Sequence, residues 1–167
     1  MARLARDRDA RSGASQFTRR IIAVRKAFPI LYRPRFVLGN YNEELGVKDV
    51  TWLSPTGAEM TQQQWGDANA RCFAMLLDGR AQESGIIRRG GDATLLLIYN
   101  SHYDGVNFTL PSVAEGLAWE RLLDTNDPDL QQAPYPFGSV YTVTGRSLVA
   151  FGLTTSSAAD IIFGAGL

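Results

Sequence analysis

The chain has few of the side chains on which most metal and covalent chemistry depends. Its 167 residues include one cysteine, Cys72, and one histidine, His102. A single cysteine excludes an internal disulfide and a cysteine-based zinc site within the chain. A single histidine excludes a two-histidine metal site and most histidine-paired nucleophile arrangements. No apolar run approaches the ~20 residues that span a bilayer, and the N-terminus lacks the apolar stretch of a secretion signal. The 17 basic side chains equal the 17 acidic ones, so no net charge draws the chain to nucleic acid or an acidic membrane. The expectation is a cytoplasmic protein that binds neither of these and needs no metal or cofactor.

Apolar residues make up 45% of the chain, enough for one domain with a genuine core. The charge is uneven, because Arg3, Arg6, Arg8, Arg11, Arg19, Arg20, Arg25 and Lys26 face only Asp7 and Asp9 at the N-terminal end. Residues 1–14 show no large apolar face beyond Leu4 and predict a disordered basic start. From a Ser15 cap, Phe17, Ile21, Val24 and Phe28 fall at helical spacing, and Pro29 ends the pattern. An extended, proline-interrupted connector then reaches residue 39.

From residue 40 to 153 the reading is β. The stretch from Lys48 to Asp67 joins a short apolar strand (Val50, Trp52, Leu53) to a Ser54-Pro55-Thr56-Gly57 turn. Thr61 and Gln64 then have the spacing of a capping box ahead of Trp65. Residues 71–77 read as a strand. Residues 94–99, with Leu95-Leu96-Leu97-Ile98 unbroken, read as a central strand covered on both faces. Val106, Phe108 and Leu110 alternate with polar residues, as in a half-buried strand. A strand over 119–123 follows, and residues 140–143 and 148–151 read as a hairpin around Thr144-Gly145-Arg146-Ser147. Residues 154–167 predict a flexible tail. The fold expected is mainly β, an antiparallel β-sandwich preceded by one amphipathic helix.

The residues form no catalytic constellation recognisable in the sequence. Asp124, Asp127 and Asp129 lack calcium-loop spacing, and such residues at a strand end commonly bond their own backbone. Adjacent Glu43 and Glu44 read as solvated, and Cys72 as a small core residue. Aromatic and polar groups leave a carbohydrate platform as a second reading, through Trp65, Tyr41, Asn100, His102 and Tyr103. Trp52 belongs to the same reading if it is exposed, although tryptophans are more often core anchors.

Several ordered motifs carry a family resemblance. They are Phe17-Thr-Arg-Arg-Ile-Ile-Ala-Val-Arg-Lys-Ala-Phe-Pro29, Arg35-Phe36, Asp49-Val-Thr-Trp-Leu-Ser-Pro-Thr-Gly57, Glu59-Met-Thr61 and Trp65. They continue with Leu95-Leu-Leu-Ile-Tyr-Asn-Ser-His102, Val106-Asn-Phe-Thr-Leu-Pro111, Trp119, Leu122-Leu-Asp-Thr125, Tyr141 and Gly145-Arg-Ser-Leu148. In this order they resemble isoamylase-type glycogen debranching enzymes of the α-amylase superfamily. The likeness covers the C-terminal end of such enzymes: the last helix of the (β/α)8 barrel over residues 15–39, then the β-sandwich called domain C. It implies α-1,6-glucosidic chemistry in full-length relatives, whose three catalytic carboxyl groups lie on barrel strands upstream. No motif carrying those groups is present here, and glycoside hydrolysis needs a pair of carboxyl groups across a sugar cleft. The resemblance therefore implies a non-catalytic unit that supports a barrel, or the accessory part of a split enzyme. The helix face formed by Phe17, Ile21, Val24 and Phe28 is expected to fold back on the sandwich or to dock in a homodimer or on a barrel-bearing partner.

Overall fold

In a computed structural model of the chain, residues 2–32, 36–44, 46–81, 93–127 and 133–155 are described. Helix α1 spans Ala2–Ala27 and a 3-10 turn follows at Pro29–Tyr32. The helix therefore begins well before the expected Ser15 cap and includes the arginine-rich start. Alanine and arginine are good helix formers, and no proline interrupts them before Pro29.

The strands are β1 (Tyr41–Asn42), β2 (Val47–Lys48), β3 (Val50–Leu53), β4 (Cys72–Asp78), β5 (Thr94–Asn100), β6 (Val106–Thr109), β7 (Gly116–Asp124), β8 (Pro134–Tyr135), β9 (Val140–Val143) and β10 (Ser147–Thr155). A one-turn helix, α2, occupies Gln62–Trp65 between β3 and β4. A six-stranded antiparallel sheet runs β3-β4-β5-β10-β7-β8, and a two-stranded sheet pairs β6 with β9. The two face each other as a mainly β sandwich. Thr154 and Thr155, expected in the tail, pair with Ala118 and Gly116 in β7. The remaining tail residues, 156–167, lie outside the described ones, as does Asp129.

Alternation along each strand divides the apolar residues into two layers. One face of the large sheet contributes Leu53, Ala74, Leu96, Ile98, Val149 and Phe151 to a core closed by Phe108 of β6 and Val143 of β9. Trp119 is fully buried in this layer, with its indole N–H donating to the Pro111 carbonyl at 2.8 Å. The opposite face contributes Val50, Leu77, Leu95 and Ala150, over which α1 lays Val24 and Phe28. A bulge in β7 reinforces that second layer. Ala150 pairs with Leu123 while Phe151 pairs with Arg121, so Leu122 is the extra residue. Leu122 and Leu123 thus both join the helix-side core.

The helix does fold back on the sheet. Val24 and Phe28 are buried, and each contributes about 1.5–3 kcal/mol of apolar burial. They are consequently engaged within the chain. Phe17 packs beside them, whereas Ile21 lies at the rim of the stripe and stays exposed, as does Ile22.

The hairpin expected around residues 144–147 is replaced by a crossing between sheets. β9 pairs with β6, and β10 pairs with β5 and β7. Two contacts fix this route. Arg146 N–H donates to the His102 carbonyl at 2.8 Å, and Gly145 lies so close to the Tyr103 carbonyl that a Cβ there would collide with it. A turn signal in the sequence marks a change of direction, not the sheet that receives the next strand.

Candidate functional site

The stretch from Lys48 to Asp67 is built largely as its composition dictates. The Ser54 turn closes with Gly57 N–H donating to the Ser54 carbonyl at 2.9 Å, and Gly57 adopts φ +79°. A Cβ at Gly57 would lie 2.6 Å from the Thr109 carbonyl oxygen, so only glycine fits both the dihedral and the approach. Thr109 N–H in turn donates to the Pro55 carbonyl at 2.9 Å, tying this loop to β6. The capping box forms: Thr61 Oγ1 accepts from Gln64 N–H, and Gln64 Oε1 accepts from Thr61 N–H.

The aromatic residues of this stretch continue into the sheet. Trp65 is half exposed and meets Trp52 edge-on, with ring centroids 5.7 Å apart. Trp52 leans on Phe73 at 5.8 Å, and Phe73 stacks on Tyr99 at 5.3 Å. Trp52, Phe73 and Tyr99 lie on the helix-side face of the large sheet. Met75, Leu97 and Leu148 share that face, and all six are half-buried. Burial raises the Tyr99 phenol above its ordinary value.

The five residues read as a carbohydrate platform come from separate elements, and Asn100 among them is buried. Tyr41 is exposed on the β1–β2 ribbon, and Trp65 rests on Trp52. His102 and Tyr103 stack at 4.2 Å in the β5–β6 turn. Among the described residues no ring contact links these three places. Asn100 is 2% exposed, and its side chain is consumed by the fold. Its amide nitrogen donates to the carbonyls of Asp104, Val143 and Thr144, each at 3.0 Å, and its Oδ1 accepts from His102 N–H at 3.0 Å. Asn100 therefore belongs to the crossing between sheets, with no donor left for a sugar.

Near it lies a cleft of about 360 Å³ that no sequence pattern brings together. Gln64 of α2, Asp67 and Asn69 of the next turn, Arg71 before β4 and His102 line its polar side. Met60 and Val106 supply apolar surface, with the Cys72 thiol alongside. Burial pushes that thiol up to about 11, so it stays protonated and serves as packing. These residues are far apart in sequence, and Ser101 brings them together by donating its N–H and hydroxyl to the Arg71 carbonyl at 2.8 and 2.9 Å. The turn itself is local: Asp67 Oδ1 accepts from the Asn69 amide at 2.8 Å. Its Asp67-Ala68-Asn69 spacing signals no site, because Asx turns recur on many surfaces.

The acidic loop after β7 serves the fold as well. Asp124 accepts from the amides of Asn126 and Asp127 at 2.9 and 3.3 Å and from the Tyr141 hydroxyl at 2.7 Å. Arg121 donates to Asp127 and to Tyr141, both at 2.8 Å. Burial opposes charge on Arg121, but its hydrogen bonds to Tyr141 and Asp127 outweigh it and hold the guanidinium above its ordinary value. Burial, aided by the Asp124 hydrogen bond, pushes the Tyr141 phenol up to about 12. Among the described residues no three His, Cys, Asp or Glu side chains gather as metal ligands, and no helix is long and apolar enough to cross a membrane.

Comparison with known proteins connects this fold to a lineage. A segment of 115 residues is 36% identical to the "Glycogen operon protein GlgX homolog" of Mycobacterium tuberculosis, covering 67% of this chain and 16% of that protein. Over 111 residues it is 29% identical to "Isoamylase" of Pseudomonas amyloderamosa, covering 66% of this chain and 12% of that enzyme. Over 120 residues it is 27% identical to the chloroplastic "Isoamylase 2" of Oryza sativa, covering 65% of this chain and 14% of that one. The matched segment is thus a small fraction of each relative's length. The family described as "Isoamylase, C-terminal" matches residues 49–152, from the buried Asp49 to Gly152 in β10. That match takes in β3 to β9 and most of β10, more than half of the chain, and on it the chain belongs to the isoamylase C-terminal family.

Proposed function

We propose that this chain is a non-catalytic unit of a glycogen-debranching assembly, buttressing a catalytic barrel supplied by another portion of polypeptide. The single observation carrying this reading is the half-covered sheet face of Trp52, Phe73, Met75, Leu97, Tyr99 and Leu148. These six side chains stay half-buried on the face that also receives Val24 and Phe28, and a contiguous apolar surface of this kind favours a protein neighbour. The barrel lies on the same polypeptide or on a separate chain, as in a split enzyme, and the assembly works in the cytoplasm. Ile21 and Ile22 extend the contact surface, since Val24 and Phe28 are already engaged with the sheet.

The test is reconstitution with the M. tuberculosis relative from which the matching segment has been removed. Mixing the two is expected to give a complex by light scattering and release of reducing ends from glycogen that neither part achieves alone. Met75→Asp should prevent both. Debranching by this chain alone would overturn the non-catalytic assignment, and two separate species with no gain of activity would sink the buttress.

A second reading, contact with α-glucan, is favoured by the half-exposed Trp65. Its indole offers a ring face of the kind that packs on the C–H face of a glucose unit. Loss of glycogen binding in Trp65→Ala, without unfolding, tests it.

A further inference from the structure

We infer that the surface running from the end of α1 through the connector to the β1–β2 ribbon is a two-fold interface between two copies of this chain. It goes beyond the buttress reading and does not rest on it, since that reading uses the sheet face around Met75.

Exposed apolar surface is concentrated there. Of the ten large apolar side chains that stay exposed among the described residues, Ile21, Ile22, Tyr32, Phe36, Leu38 and Tyr41 fall within one short stretch of chain. Burial alternates along the connector: Val37 packs into the helix-side core, while Phe36 on one side of it is 91% exposed and Leu38 on the other 74%. One side of this extended segment is thus closed by the chain's own core, and the other is left apolar. The backbone that presents it is fixed. The buried Asp49 carboxylate accepts the Leu38 and Gly39 amides at 3.1 and 2.8 Å, and Tyr41 pairs with Lys48 in the ribbon. Side chains carried on a fixed backbone lose less freedom when a partner arrives.

Charge selects the partner. Before the apolar stretch, Arg25 and Lys26 are exposed at the end of α1, with the Arg25 guanidinium 5.9 Å from the centre of the Tyr32 ring. After it, Glu43 and Glu44 are exposed side by side in the turn of the ribbon. The apolar residues are therefore bordered along the chain by cations at one end and anions at the other. A second copy turned by 180° sets Arg25 and Lys26 against Glu43 and Glu44 twice, with Phe36 and Leu38 between them. The whole chain has the same asymmetry. Residues 1–39 hold ten of the 17 basic side chains and two of the 17 acidic ones, and residues 40–167 hold seven and fifteen. A polyanion or an acidic membrane would suit one end of this surface and be repelled by the other, whereas a second copy suits both.

Size exclusion with light scattering, over a concentration series of the full chain, tests this. The expected result is a dimer that Leu38→Asp weakens about tenfold or more, with a thermal melt like that of wild type because the side chain is exposed. Arg25→Glu with Lys26→Glu, and separately Glu43→Lys with Glu44→Lys, should each weaken it, and mixing these two double variants should restore a heterodimer. The dimer should also persist in Met75→Asp, so that failure to reconstitute with a barrel while the dimer survives counts against the buttress alone. A wild type that is monomeric at every concentration would overturn the interface, as would a dimer indifferent to Leu38→Asp. A dimer lost in Met75→Asp would move the contact to the sheet face and overturn it too. Dissociation by Leu38→Asp with no response to either charge reversal would overturn the two-fold pairing.

Discussion

Replacing Asn100 separates a structural role from a sugar-binding one. In Asn100→Ala the carbonyls of Asp104, Val143 and Thr144 lose their shared donor, and the His102 amide loses its acceptor. An NH₂ group has two hydrogens, so the three carbonyl contacts amount to two bonds, one of them shared, and the Oδ1 contact is a third. At about 0.5–1.5 kcal/mol per bond, with extra cost for acceptors left buried, the loss comes to about 2–4 kcal/mol. For a domain of this length that lowers the melting temperature by about 5–15 °C. Asn100→Asp keeps the shape but sets an oxygen against three carbonyl oxygens, so its destabilisation exceeds that of Asn100→Ala and grows as pH rises and the carboxyl ionises. Urea unfolding followed by circular dichroism checks both, with an unchanged m-value showing that the native state has kept its compactness. A melting temperature within ~2 °C of wild type for Asn100→Ala would refute this reasoning, since a loss of about 2 kcal/mol already predicts a drop of about 4 °C or more.

Two further predictions concern the helix-side layer and a buried carboxyl group. Phe28→Ala should cost about 3–5 kcal/mol by urea unfolding, because it removes the buried end of the α1 stripe; a cost below ~1 kcal/mol would mean that α1 does not rest on the sheet. Glu120 is buried, with Oε2 lacking a partner, and burial raises its carboxyl above the usual range. A raised folded value means that native protein keeps a proton the unfolded chain has released, so this residue favours folding most below the unfolded value and less as pH rises through the folded one. The stability of Glu120→Gln relative to wild type should therefore improve from pH ~4 to pH ~7, and a constant difference across that range would contradict it.

Local patterns in the sequence carry much of the fold. The unbroken run Leu95–Ile98 marks a strand covered on both faces, and β5 does lie between β4 and β10 with apolar layers above and below. The Thr61–Gln64 spacing specifies its own cap. What escapes such patterns is set by contacts between distant residues. Gly145 resembles the tip of a hairpin, yet its neighbour is the Tyr103 carbonyl, and that contact turns the chain into another sheet. Asn100 resembles a surface group because it begins a polar turn, but its acceptors are four or more than forty residues away. The candidate cleft is hidden for the same reason: Arg71 and His102 meet only because Ser101 pairs with Arg71 beyond the ends of β4 and β5.

The order of the large sheet has a consequence for how the domain behaves in solution. Its two margins are β3 and β8, and an open margin is a template on which other chains can add strands. Along β3 the chain turns back on itself: Met60 N–H donates to the Trp52 carbonyl at 2.8 Å, and Leu53 bridges to Glu59. At the other margin β8 is only Pro134–Tyr135, and proline has no N–H to offer a neighbour. The return along β3 and the proline of β8 thus both discourage strand addition where they lie. Association of this domain is directed to its faces, where side chains rather than backbone decide the partner.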